Sequence, residues 1–191
     1  MRFLFLFIIF ITFHNNSFSQ NYQTILEENF EGSISNSIDL NYTTQINEST
    51  VLGPIVEEFL NINLNIPDHD SVKVVFDLFI MYTWDGHSNN NGPDFFRIEL
   101  DNELVYNVTF SNISSEFGWW YDLIQSFPDQ FSNIDNGYPA GTGNSGYFEN
   151  PNEGGAGTMK YEIELTFPHN NNDLQLKIYH TDDSSNSDEH F

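Results

Sequence analysis

The sequence predicts an all-β fold, an antiparallel sandwich of two sheets with one long loop region. Polar and apolar residues alternate over several short segments, as in strands with one buried face. No segment sustains the 3.6-residue period of an amphipathic helix. Between Phe110 and Met159 the alternation stops, and the chain is rich in glycine, asparagine, proline and aromatic residues. Long loops of this kind tend to carry function.

The first 20 residues have the pattern of a secretory signal peptide. One positive charge at Arg2 is followed by an apolar run from Phe3 to Phe13 and then by a region ending in Ser17-Phe18-Ser19. The run is too short for a transmembrane helix, which needs about 20 residues. We therefore expect residues 1–20 to be cleaved and residues 21–191 to form a single domain, secreted or at the cell surface, with no transmembrane span.

The predicted strands follow one another from residue 25 onward. Leucine and isoleucine alternate with asparagine from Leu60 to Ile66, which predicts a half-exposed strand. Ser71–Tyr82 is apolar on both faces and predicts a central, buried strand. Asp101-Asn102-Glu103 is a short polar turn that predicts a hairpin between its flanking strands. The remaining predicted strands are Ile25–Phe30, Phe95–Leu100, Leu104–Phe110, Lys160–Phe167 and Leu174–Tyr179.

Composition excludes several classes of protein. The chain has 28 acidic and 5 basic residues, a net charge of −23, so nucleic acid would be repelled. There is no cysteine, which excludes disulfides, thiolate metal sites and a cysteine nucleophile. With 19 phenylalanines and 9 tyrosines the chain has ample apolar material for a core.

A strand, a turn with proline and histidine, and a second strand occur twice. The first copy contains Pro67 and His69, and the second contains Pro168 and His169. Proline ends a strand and the polar residues after it let the chain reverse, so the pattern predicts two similar hairpins in facing sheets. The histidines lack the short spacings typical of zinc sites.

Several short motifs occur in an order that resembles a known group of domains. They are Phe30-Glu31-Gly32, Trp84-Asp85-Gly86 with Gly92-Pro93-Asp94, Thr109–Asn112 and Phe167-Pro168-His169. In this order they resemble concanavalin A-like or MAM-like jelly-roll modules of secreted and cell-surface proteins. The resemblance spans roughly residues 25 to 191 and implies a jelly-roll sandwich. Such modules commonly end in a strand that opens as Asp188-Glu189-His190-Phe191 does here, so we expect this sequence to be truncated before its last strand.

The loop from Asp85 to Asp94 is a candidate metal site. It places two carboxylates and several amide oxygens, including that of Asn89, within ten residues between two strands. Calcium takes six to eight oxygen ligands, and a polar loop containing glycine can supply them. We predict a structural calcium ion held by Asp85, Asn89 and Asp94. The alternative is a solvated turn in which these side chains cap backbone groups.

Adjacent aromatic residues in the long loop region are candidate ligand contacts. Trp119, Trp120 and Tyr121 lie in sequence, and aromatic faces stack on sugar rings. Alternatively, these rings plug the open end of the sandwich. Trp84, at the end of a buried strand, is expected in the core. After the first 20 residues there are four glycosylation sequons, at Asn41, Asn47, Asn107 and Asn112, and they leave glycosylation open.

These features predict a non-catalytic binding or adhesion module, directed to a glycan or a cell-surface protein and stabilised by calcium. One alternative is a polysaccharide-degrading enzyme, a glycoside hydrolase or lyase. Glu162 and Glu164 alternate on one predicted strand, as the acid and nucleophile of some sandwich-fold glycosidases do. They are equally well explained as the outward-facing side of an ordinary strand. Another alternative is a structural spacer within a larger surface protein.

Overall fold

The protein is all-β, with antiparallel sheets arranged as in a β-sandwich. The computed structural model describes residues 8–13, 21–55, 59–87, 93–112, 123–133, 135–148, 157–181 and 189–190, and no helix occurs among them. The strands are β1 Ile8–Phe13, β2 Asn21–Thr24, β3 Thr43–Ile46, β4 Ser49–Leu52, β5 Leu60–Asn65, β6 Ser71–Tyr82, β7 Phe95–Leu100, β8 Glu103–Thr109, β9 Ile124–Gln125, β10 Tyr138–Pro139, β11 Gly146–Phe148, β12 Thr158–Pro168, β13 Asp173–Thr181 and β14 Glu189–His190.

The first sheet is centred on β6 and has the order β11-β12-β6-β1-β2, with β14 also paired to β6. The prediction that β6 is central is confirmed, and one of its faces is fully buried. Its inward side chains are Val72, Val74, Phe76, Leu78 and Ile80, each at most 3% exposed. Phe79, on the opposite face, is 2% exposed and packs against Phe148 of β11. The opposite face of β6 is apolar only in part, because Lys73 and Asp77 lie on it and are half-buried.

The predicted leader contributes a strand to this sheet. β1 pairs antiparallel with β6 over Ser71–Val75 and with β2 on its other edge. β14 pairs antiparallel with β6 further along, at Met81 and Tyr82. Cleavage after residue 20 remains a prediction, and it would remove β1 and uncover the edge of β6 that β1 now covers.

The second sheet has the order β5-β13-β7-β8. The predicted hairpin is confirmed: β7 and β8 pair antiparallel around a turn in which Asp101 and Asn102 have φ angles of 51° and 68°. Positive φ at both central residues is the geometry that suits a two-residue hairpin. The alternation predicted for Leu60–Ile66 is also confirmed, since Leu60, Ile62 and Ile66 are buried while Asn65 is exposed.

The hydrophobic core lies between the two sheets. Phe76 of the first sheet contacts Phe96 of the second, with ring centroids 6.1 Å apart. Phe110, which follows β8, contacts Tyr161 of β12 at 4.5 Å. Burying aromatic rings from both sheets is the main stabilising interaction in such a sandwich.

The two proline–histidine segments differ from the prediction. They are not hairpins within a sheet, because each crosses from one sheet to the other: β5 and β13 lie in the second sheet, β6 and β12 in the first. We call residues 66–70 and 169–172 the two arches. β5 pairs with β13 and β6 with β12, both antiparallel, so the two copies are related by a local pseudo-twofold axis. Each arch begins at or next to a proline, Pro67 or Pro168. Proline has no backbone N–H, and it is tolerated there because the strand pairing does not require a hydrogen-bond donor at that position.

The strand predicted over Ile25–Phe30 is wrong. These residues form no strand, although Leu26 and Phe30 are buried against the core. Phe30 has a φ of 57°, which is outside the β region. An apolar pattern predicts only that side chains are buried. In this segment Leu26 and Phe30 are buried although the backbone is not paired as a strand.

Candidate functional site

The loop that follows β6 lies at one end of the sandwich, which we call the loop end. Trp84 opens this loop and is fully buried, packed edge-on against Phe110 with ring centroids 6.4 Å apart. The expectation that Trp84 belongs to the core is confirmed. Its indole anchors the start of the loop to the core between the sheets.

Asp85 and Asp94 meet although they are nine residues apart. The Asp85 amide donates a hydrogen bond to Asp94 Oδ2 (2.5 Å), and the Asp94 amide donates to the Gly86 carbonyl (2.8 Å). Asp85 is 7% exposed and Asp94 1%. Gly86 has a φ of 74° and a Cβ there would collide with the Ile124 carbonyl, so only glycine suits this position. Asn89, the third predicted metal ligand, lies outside the described residues.

Beneath this loop is a group of buried polar side chains that we call the loop cluster: Asp85, His87, Asp94, Ser111, Asn112 and Gln125. Asp85 forms a β-bridge with Ser111. Ser111 Oγ has no hydrogen-bond partner within the described part of the chain. Gln125 Oε1 accepts hydrogen bonds from the amides of Ser111 (3.1 Å) and Gly141 (3.0 Å). Buried polar side chains need hydrogen-bond partners, so a cluster of six requires a reason. It serves either a function at the loop end or the structure of the loop itself.

Asn112 holds the loop cluster together. Its Oδ1 accepts a hydrogen bond from the Trp84 amide (2.9 Å), and its Nδ2 donates to the carbonyls of Tyr82 (2.5 Å) and Gly157 (2.9 Å). The side chain is 1% exposed. Asn112 is one of the four sequons, and its buried, bonded amide cannot carry a glycan in this fold.

His87 is the histidine of the loop cluster. It is 1% exposed, and its Nδ1 lies 2.8 Å from Thr109 Oγ1. Burial lowers the pKa of His87 below its usual value, and the Asn136 backbone opposes this only in part. Because Thr109 Oγ1 also accepts a hydrogen bond from the Ser126 amide (2.8 Å), its own proton is available to His87 Nδ1. The geometry therefore suits a neutral imidazole.

An open hollow of about 380 Å³ lies beside the loop cluster. It is lined by Ser126, Asp129, Gln130, Ser132, Asp135, Asn136, Gly137 and Tyr138. Gly137 lies against the His87 ring, so the hollow and the loop cluster share a wall. The Tyr138 hydroxyl donates to Asp129 Oδ2 (2.7 Å), and this bond to a carboxylate raises the pKa of Tyr138. The sequence analysis missed these side chains, which lie within the long loop region it did predict.

The other candidate residues are distributed differently. Trp119, Trp120 and Tyr121 lie outside the described residues. Glu162 and Glu164 lie on the exposed face of β12, with 72% and 65% of their side chains exposed. Glu164 forms an ion pair with Lys73 (2.6 Å), and the neighbouring Lys160 forms a buried one with Asp77 (2.8 Å). Ion pairing of this kind is typical of an outward-facing strand surface.

Within the described ranges, no three histidine, cysteine, aspartate or glutamate side chains are grouped to hold a metal ion. Nor do these ranges contain a helix that is long and apolar enough to cross a bilayer. No family model, curated protein or solved structure matches this chain.

Proposed function

We propose that this protein is an exported, non-catalytic binding or adhesion module of the jelly-roll, concanavalin A-like type. It binds carbohydrate at the loop end and is stabilised there by calcium. The observation that carries the proposal is the meeting of two buried aspartates, Asp85 and Asp94, in a loop that borders a polar hollow. A glycan on a cell surface or on a cell-surface protein is the partner.

The loop cluster supports the calcium ion. Burying a carboxylate is costly unless hydrogen bonds or a cation balance its charge, and this loop buries two. One amide hydrogen bond reaches Asp94 from Asp85, and the adjacent Ser111 Oγ is a buried oxygen without a partner among the described residues. Carboxylate and hydroxyl oxygens are the ligands that a hard cation prefers. Asp85 and Asp94, with Asn89, would hold the ion. The bound ion would stabilise the conformation of the loop that borders the hollow.

The hollow supports a neutral carbohydrate as ligand. Its lining has carboxylate, amide and hydroxyl groups, which are the groups that hydrogen-bond sugar hydroxyls, and the ring of Tyr138 offers a flat face for stacking. Asp129 and Asp135 disfavour an anionic sugar, as does the net charge of −23. Trp119, Trp120 and Tyr121 are proposed as further contacts.

The exposed face of β12 favours binding over catalysis. Glu164 is engaged by Lys73 at 2.6 Å, and both glutamates project from an open strand surface. A retaining glycosidase needs two carboxyl groups about 5 Å apart across a bound sugar, with the acid in an environment that raises its pKa. A polysaccharide-degrading enzyme is the alternative. It predicts hydrolysis of a glucan or alginate that Glu162→Gln abolishes.

Calcium binding is tested by melting the full chain in millimolar calcium and in excess EDTA. At a calcium concentration 100 times the Kd, mass action raises the melting temperature by about 5 to 10 °C. Asp94→Asn should remove this shift, whereas Asp173→Asn, which changes an exposed residue at the opposite end of the sandwich, should keep it. Equal melting temperatures in calcium and EDTA would exclude the ion.

Carbohydrate binding is tested on a glycan array in calcium-containing buffer. We expect a neutral glycan to bind, and Tyr138→Ala to weaken binding at least ten-fold. Tyr147→Ala is the matched control, because Tyr147 is an exposed tyrosine on β11 and does not line the hollow. An array without a bound glycan would favour the structural spacer, and binding that Tyr138→Ala leaves unchanged would place the site elsewhere.

A further inference from the structure

The two arches bring a pair of histidines together at the end of the sandwich opposite the loop end. His69 Nε2 and His169 Nδ1 lie 2.5 Å apart, although the residues are 100 positions apart in sequence. The rings are 7% and 8% exposed at the residue level, and their planes are 21° apart. The 4.8 Å between ring centroids equals the nitrogen–nitrogen distance plus the two ring radii. The two nitrogens therefore point at each other along the line between the rings.

The other nitrogen of each ring is held by a hydrogen-bond acceptor. His69 Nδ1 lies 2.7 Å from the Pro67 carbonyl, and His169 Nε2 lies 3.0 Å from Asp101 Oδ2. A carbonyl only accepts. The Asp101 carboxylate also accepts from the Gln175 amide (2.9 Å) and from Asn171 Nδ2 (3.2 Å). His69 Nδ1 and His169 Nε2 therefore act as hydrogen-bond donors. These two bonds orient the rings so that His69 Nε2 and His169 Nδ1 face the space between them.

This is the arrangement that surrounds metal-binding histidines. A ligating imidazole typically donates its second N–H to a backbone carbonyl or a carboxylate, which sets the tautomer and orients the ring. His69 has the carbonyl and His169 the carboxylate. Imidazole nitrogens suit zinc, copper and nickel, whereas calcium prefers oxygen.

We propose that His69 and His169 form a binding site for a transition-metal dication of the zinc class. Zinc–nitrogen bonds of about 2.0–2.1 Å place two ligating nitrogens about 3.3 Å apart in a tetrahedral site, so the rings must separate by roughly 0.8 Å and tilt until both nitrogens point at the ion. Both histidines lie in the arches outside the paired strands, where such a shift disturbs no ladder. Water completes the coordination, because the described residues offer no group of three such side chains.

The surroundings favour a cation and give it access. Asp68 and Asp70 flank His69 in sequence, and Asp101 contacts His169. Asp101 and Asp173 also line an open hollow of about 620 Å³. Negative charge around an accessible site raises the local concentration of cations. Since the two arches belong to different sequence copies, a bound ion would cross-link them and stabilise this end of the sandwich.

The test is a titration of the full chain with zinc chloride in excess calcium, followed by calorimetry and melting temperature. We expect one zinc ion per chain and a rise of about 5 to 10 °C at 100 times the Kd. His69→Gln and His169→Asn place an amide near the facing nitrogen and should each weaken zinc binding at least ten-fold. His180→Gln, which changes a partly buried histidine on β13 near Trp84, should bind zinc as the parent chain does.

Unchanged zinc affinity in both variants would overturn the proposal, because the surface carboxylates would then hold the metal. Failure of the full chain to bind zinc would overturn it as well. If the variants fail to fold, ring-nitrogen NMR of the parent chain decides. Zinc should shift the resonances of His69 Nε2 and His169 Nδ1 and leave those of His87 and His180 in place, and the reverse pattern would contradict the assignment.

Discussion

Replacing Asn112 by alanine should unfold the loop end. The substitution removes three short hydrogen bonds, with the Trp84 amide and the Tyr82 and Gly157 carbonyls, and a longer one of 3.5 Å to the Ile80 carbonyl. A buried polar group that loses its partner costs about 1 to 3 kcal/mol. Because each carbonyl can accept a second bond and water can enter the space, we take about 3 to 4 kcal/mol for the three short bonds. The melting temperature should fall by about 6 to 16 °C.

The assay is urea unfolding, which gives the midpoint and the slope separately. Asn107→Ala is the matched control: this asparagine on β8 accepts one bond from Arg97 Nε (3.0 Å) on the outer face of the second sheet, and its loss should cost less than about 1 kcal/mol. Asn112→Asp should destabilise more than alanine, because it sets a carboxylate against two carbonyls. If Asn112→Ala costs no more than Asn107→Ala, the side chain does not organise the loop end and this reasoning fails.

Three further predictions concern the sheet surfaces. Asp77→Ala removes the shorter ion pair of the buried Lys160 and leaves its contact with Glu162 (3.9 Å), so it should cost about 3 kcal/mol, the lower end for a broken buried pair. Replacing the more exposed Glu164 by alanine should cost about 0 to 1 kcal/mol, and similar urea midpoints for the two variants would contradict this. The Tyr179 hydroxyl, bonded to Glu99 at 2.6 Å, is the main cause that lowers the Glu99 pKa. A lowered carboxyl pKa stabilises the fold above the unfolded-state pKa, and this contribution is lost as pH falls through the folded-state value. Tyr179→Phe should raise the Glu99 pKa in an NMR titration and reduce the stability that Glu99 contributes at neutral pH and loses on acidification; an unchanged carboxyl titration would refute the assignment. Removing residues 1–20 should speed amide exchange on the edge of β6 that β1 covers, and equal exchange in both forms would mean that another segment covers that edge.

Much of the fold could be predicted from the sequence because period-two alternation reports directly which face of a strand is buried. β6, the β7–β8 hairpin and the second-sheet strands β5 and β13 follow from it. The strand expected over Ile25–Phe30 does not, since burial of Leu26 and Phe30 requires apolar side chains and not a ladder. The pattern could not predict which sheet each strand joins, because polar and apolar residues alternate in the same way in a hairpin and in an arch that crosses between sheets.

The candidate site divides in the same way. The Asp85–Asp94 loop could be predicted because its residues are close in sequence and rich in oxygen ligands. The hollow around Tyr138 and the supporting bonds of Asn112 join segments that are distant in sequence, so no local spacing announces them.

By itself the sequence determined the strand class, the acidic surface, the absence of cysteine chemistry and the position of the oxygen-rich loop, since each depends on residue type or on short spacing. Only the tertiary structure decided that the two proline–histidine segments are arches, and that His69 and His169 face each other across 100 residues. The physical reason is that strand pairing converts sequence distance into contact: the registers of β6 with β12 and of β5 with β13 place the two arches side by side.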